Sequence, residues 1–159
     1  MKSPSTFTVR SAGPEDASML TTLRVALFRE LGHDVSPERQ ATFERATLTA
    51  FANGLKRSDC LGWLAESGNR DAIGSTVLLV FPRLPSPESH SSTEGYPLSV
   101  YTVPTWRRQG VATALSQAAV AKARELGLAR IRLHATSDGQ PVYGAIGFLL
   151  RDNEMELCL

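Results

Sequence analysis

Apolar residues recur along this chain at two spacings. Leu20, Leu23, Leu27 and Leu31 follow the three- and four-residue rhythm of one helical face, and Gly32 ends the run. A second helix starts at Ser36 and Pro37, an N-cap with proline behind it. Its apolar side carries Phe43, Ala46, Ala50 and Phe51, and Gly54 lies near its end. Residues 110–126 form a third helix, closed by Gly127 in the position glycine favours after a C-cap. Residues 137–146 form a short fourth, with Ser137 and Gln140 spaced as a capping box. Between these, residues 7–10, 61–66, 73–81, 96–103, 129–135 and 153–159 read as strands, by alternation or by short apolar runs bounded by turns.

The predicted order is β-α-α-β-β-β-α-β-α-β. Residues 67–71 are a turn, so the strands on either side pair as an antiparallel hairpin. A strand, a crossover helix and a strand over 96–135 imply a parallel pair. Residues 82–97 contain four prolines and many serines and read as a surface loop. The expected class is α/β, more closely α+β: a mixed, mostly antiparallel sheet flanked by four helices.

Composition adds bounds. A length of 159 residues suits one domain over 1–159 with a real core. Seventeen Lys and Arg against sixteen Asp and Glu leave a formal charge of +1, which gives no electrostatic reason for nucleic acid or an anionic membrane as partner. MKSPSTFTVR lacks the apolar core of a signal peptide, and no apolar run approaches a membrane span. Cys60 and Cys158, far apart and without metal spacing, are expected as buried small hydrophobes in a reducing cytoplasm. No metal is expected.

The chemistry concentrates in PTWRRQGVATAL, residues 104–115. A helix N-terminus presents unpaired N–H groups and the positive end of its dipole. Gly110 and Ala112 would let a bulky anion reach the backbone amides of Arg108, Gln109, Gly110, Val111, Ala112 and Thr113, and Arg107 and Arg108 add charge and bidentate donors. The stretch therefore reads as a phosphate seat at a strand-to-helix turn. It lacks a P-loop lysine and the three-glycine dinucleotide pattern. Read alone, the small residues also suit close packing of helix on sheet.

Arg107-x-x-Gly110-x-Ala112 after a strand ending in proline resembles the Q/R-x-x-G-x-G/A coenzyme A signature of the Gcn5-related N-acetyltransferase (GNAT) superfamily. TVRSAGPEDASML resembles its first strand and helix, and HATSDGQPVYGAIGF its late strand-helix segment. The element order is similar over nearly the whole chain. The resemblance implies acetyl-CoA as cosubstrate and transfer of its acetyl group to a primary amine by direct attack in a ternary complex. It implies a splayed parallel strand pair, with the backbone of Val100, Tyr101 and Thr102 pairing the pantetheine arm. An N–H of that strand would polarise the thioester carbonyl. Tyr143 would protonate the departing thiolate. Trp106 would pack under the loop or near the adenine, and Trp63 in the core.

The chain departs from the family pattern at two places. A glutamate that some members carry on the strand reading IRLHAT falls at Ile131, and an asparagine common before the tyrosine helix is replaced by Thr136 or Ser137. The general base is left open among His134, His33, Asp34, Glu66, Glu94 and water. As ordinary side chains, His134 would be hydrogen-bonded in or near the core, Glu66 would be a solvated turn residue, and Glu94 and His90 would face water from the long loop. A small-molecule amine is the expected acceptor and a homodimer the assembly the resemblance implies. The alternatives are a non-catalytic acyl-CoA binding module and a protein or peptide amine acetyltransferase.

Overall fold

The computed structural model describes residues 6–151 and 154–159. Its elements are β1 (Phe7–Ala12), α1 (Ala17–Glu30), α2 (Pro37–Arg57), β2 (Cys60–Ser67), β3 (Ala72–Pro82), β4 (Thr93–Thr102), α3 (Val111–Glu125) and α4 (Gln140–Ile146), with single 3-10 turns at Pro14–Asp16 and Pro104–Trp106. The sheet has the order β1-β2-β3-β4, each neighbour antiparallel.

Alternation along β2 places helices on both faces. Cys60 and Leu64 pack with Leu20, Leu23 and Phe51 of α1 and α2. Trp63 and Ala65 point the other way, onto Leu115, Ala119 and Ala123 of α3. α3 buries every fourth residue, Val111, Leu115, Ala119 and Ala123, and its alanines allow close seating on the sheet. Burying a leucine is worth about 2 kcal/mol, so Leu20, Leu64, Leu78 and Leu115, all fully buried, anchor both layers. Arg10 of β1 holds Asp16 and Glu66, each at 2.8 Å, and fixes the entry to α1. Glu66 is thus ion-paired at the end of β2 rather than solvated in a turn.

The α/β class, the mostly antiparallel sheet and the four helices are those expected, but several parts differ. The predicted strand 129–135 reduces to one parallel bridge, Gly95 with Ile131. The long loop shrinks to residues 83–92, because β3 runs to Pro82 and β4 starts at Thr93. Glu94 consequently lies inside β4, 2% exposed, instead of facing water. Residues 154–159 form no strand, and Asn153 lies outside the described residues. Helix α4 begins at Gln140 with Gly139 as N-cap and no side-chain cap, so Ser137 and Gln140 make no capping box; the Thr136 hydroxyl accepts from the Gly139 amide instead, at 3.2 Å. Cys60 is buried, but Cys158 is exposed. No helix among the described residues is long and apolar enough to cross a membrane.

Candidate active site

Among the described residues, β4 has a partner on its outer edge only at its start. Ala129 N–H donates to the Thr93 carbonyl, Gly95 N–H to Arg130, and Arg132 N–H back to Gly95, each at 3.0 Å. Gly95 permits this approach, since a Cβ there would stand 2.9 Å from Ile131 and Leu128 side-chain atoms. Pro97 then removes a donor from the edge. Ser99, at φ 54°, bends the strand where its register with β3 shifts. Among the described residues the segment makes no further backbone pair with β4 past Arg132, and Val100, Tyr101 and Thr102 form the edge of the sheet. This proline and bulge explain why the expected parallel strand is a single bridge.

That edge runs into the turn before α3. Arg108 and Gly110 both take left-handed backbone, φ 62° and 85°. The Ala114 amide closes the first helical turn on the Gly110 carbonyl. The amides of Val111, Ala112 and Thr113 therefore stand at the helix start with no side-chain cap and no acid in the first turn. A Cβ at Gly110 would meet no atom within 4 Å. An anion has open space before these amides, and the residues present fit the pyrophosphate of a coenzyme A.

Arg107 faces elsewhere. Its Nε donates to the Thr102 carbonyl at 3.0 Å, and its Nη2 donates to Glu30 of α1, which also accepts from the Tyr101 hydroxyl at 2.7 Å. Those two bonds, Tyr101 first, hold the Glu30 carboxyl below its ordinary range. Arg107 thus braces the loop against α1, while exposed Arg108 is the cation at the turn itself. Gln109 Nε2 closes the loop on the Thr105 carbonyl at 3.1 Å, and Trp106 packs edge-on against Phe7.

Tyr143 lies on α4, reached through the segment that diverges from β4. It is half-buried, with its ring edge-on to Phe148 at 5.8 Å. Burial pushes its phenol above the ordinary value, so it keeps its proton at neutral pH. Burial likewise pushes the Cys60 thiol up to about 11, which leaves it unreactive. His134 is not in the core: its side chain is 68% exposed. Its Nδ1 meets the Tyr96 hydroxyl of β4, and its Nε2 lies 2.8 Å from Glu154. Glu94 is enclosed by Arg83, Arg130 and Arg132, of which Arg130 and Arg132 tie β4 to the diverging segment. His33 packs on Phe28 beside Asp34 in the link from α1 to α2. No group of three or more His, Cys, Asp or Glu is placed to hold a metal among the described residues.

Sequence reasoning passed over Arg24, Glu30, Tyr96 and Ser99. Arg24 had a legible signal: it stands four residues after Leu20 and three before Leu27, so it puts a charge on the apolar stripe of α1. Its guanidinium donates to the Ser99 hydroxyl and lies 4.7 Å over the Phe28 ring.

Comparison with known proteins agrees with this fold. The model of the acetyltransferase (GNAT) family matches residues 28–148. The Gcn5-related N-acetyltransferase of Ralstonia eutropha superposes with a TM-score of 0.84 at 28% identity, covering 97% of this chain and 99% of that one. A protein of Clostridium acetobutylicum described as a predicted acetyltransferase, crystallised with acetyl-CoA, gives 0.82 at 27% identity and 96% of each chain. An aminoglycoside N-acetyltransferase in complex with CoA gives 0.75 at 18% identity, over 100% of this chain and 98% of its own, a likeness of fold alone. No curated protein matches the sequence.

Proposed function

The chain belongs to the acetyltransferase (GNAT) family, and on that footing we propose that it transfers an acetyl group from acetyl-CoA to the primary amine of a small molecule. The observation that carries this reading is the continuity of the β4 edge, unpaired among the described residues, with an uncapped helix start. Val100, Tyr101 and Thr102 lead in one stretch of backbone to Arg108–Thr113. Acetyl-CoA, when bound, supplies the acyl group as a reactive thioester. The β4 edge holds the pantetheine by main-chain pairing, as an added strand would be held. The amides of Gly110, Val111, Ala112 and Thr113, with Arg108, hold the pyrophosphate.

An N–H on the β4 edge beside Ser99 polarises the thioester carbonyl and stabilises negative charge as it develops on oxygen. The neutral amine attacks that carbon. Its nitrogen forms the new C–N bond, the C–S bond breaks, and the sulfur leaves with the electron pair. Tyr143 gives its proton to that sulfur. The amine proton passes to the Tyr96 hydroxyl, whose own proton moves to Nδ1 of His134, and Glu154 balances the imidazolium. Cys60, buried and protonated, serves no covalent step, which agrees with direct attack.

CoA release from acetyl-CoA, followed over a panel of amines with wild type and Tyr143→Phe, tests this. Wild type should release CoA only when an accepted amine is present. Tyr143→Phe should lose about 100-fold in kcat while its affinity for acetyl-CoA holds. Full turnover in Tyr143→Phe would remove the general acid, and no binding of acetyl-CoA by wild type would remove the whole reading.

A further inference from the structure

Two charges on α1 overlook the β4 edge, and they are satisfied differently. Glu30 has Arg107 and the Tyr101 hydroxyl. Arg24, half-buried, has a hydroxyl and an aromatic face, but no carboxylate among the described residues. Burial lowers its affinity for its own proton, with no acid nearby to offset the cost. Ser99, the residue it bonds, immediately precedes Val100, where the edge available to a thioester begins. A guanidinium desolvated, stacked on Phe28 and aimed at the reacting edge has N–H donors left for a planar anion.

A carboxylate reaching the β4 edge beside Ser99 would meet a ready fork in Arg24.

We propose that the acceptor is a small amine bearing a carboxylate close to its amino group, an amino acid in the simplest case, and that Arg24 binds the carboxylate. This rests on the acetyl-transfer reading above. Arg24 pairs the carboxylate through its fork, and the amine one carbon away then reaches the thioester held beside Ser99 and Val100.

The test follows acetylation of the common α-amino acids, of their decarboxylated counterparts and of an aminoglycoside, by wild type, Arg24→Gln and Arg24→Lys. At least one amino acid should be acetylated with kcat/KM ten-fold or more above its decarboxylated counterpart. Arg24→Gln should raise KM for that amino acid at least ten-fold and change the counterpart far less. Arg24→Lys, which keeps the charge, should retain part of the preference. Thermal melts with acetyl-CoA report whether each variant folds and binds the cosubstrate. A preference for decarboxylated amines or the aminoglycoside, an equal loss on both classes in Arg24→Gln, or no amino acid accepted by a chain that binds acetyl-CoA would overturn the assignment and leave cosubstrate binding standing. Failure to bind acetyl-CoA would instead defeat the transfer reading itself.

Discussion

His134 joins two strands of the proposed chemistry, because one ring nitrogen meets the Tyr96 hydroxyl and the other faces Glu154. Exposed by two-thirds, the ring adds little to stability, and its contacts matter for moving a proton. Replacing His134 by Gln should cut kcat on the best amine by about ten- to a hundred-fold, with KM for acetyl-CoA and the melting temperature nearly unchanged. Steady-state kinetics beside a thermal melt decide it: a lower melting temperature with kcat kept would make His134 a structural link only. The residue was legible as a candidate base from its place at the end of IRLHAT. Its partners were not, because Tyr96 lies 38 residues upstream and only strand pairing brings the two together.

At the scale of elements, the separation of β4 from residues 129–135 depends on one pinned end and one blocked end. Gly95 and the arginines around Glu94 pin the start, while Pro97 and the bulge at Ser99 block further pairing. Burial works against ionisation of Glu94, but its bonds to Arg130 and Arg132 outweigh this and hold the carboxyl below its ordinary value of 4.5. A carboxyl lowered in the folded state contributes stability that is present above that value and is lost as pH falls through the lowered one. Glu94→Gln should therefore cost about 2 kcal/mol at neutral pH, with the gap to wild type narrowing below about pH 4. Urea unfolding at both pH values checks it; an unchanged midpoint at pH 7 would mean that backbone bonds alone hold the diverging segment. Sequence alternation predicted a strand over residues 129–135. It missed the single bridge because the break is imposed by β4, through a proline and a left-handed serine whose effect falls on the neighbouring segment. The loop expected over 82–97 is shorter for a related reason. Pro82, Pro97 and the serines signalled a loop, but the sheet tolerates prolines where the edge needs no donor.

For the molecule as a whole, the two-faced sheet, the four helices and the strand-to-helix turn at PTWRRQGVA were legible. They rest on periodicity and on small residues whose backbone roles are local. The proposed acceptor side was not, since it draws on α1, β4 and the late segment, and Arg24, the residue proposed to bind the carboxylate, interrupts an apolar stripe that reads as ordinary core. Backbone recognition of acetyl-CoA by the β4 edge and the turn into α3 is central to the proposed function. Its most direct test is a thermal melt of the full chain, wild type and Gly110→Glu, with and without acetyl-CoA. Gly110 holds φ 85°, and a glutamate there would bring a negative charge to the start of α3, repelling that of a phosphate. Acetyl-CoA at ~100 times its dissociation constant should stabilise wild type by about 2.7 kcal/mol, read as a clear rise in melting temperature, and should leave folded Gly110→Glu unmoved. A wild type that melts at the same temperature with and without acetyl-CoA, or a variant that gains as much as wild type, would contradict it.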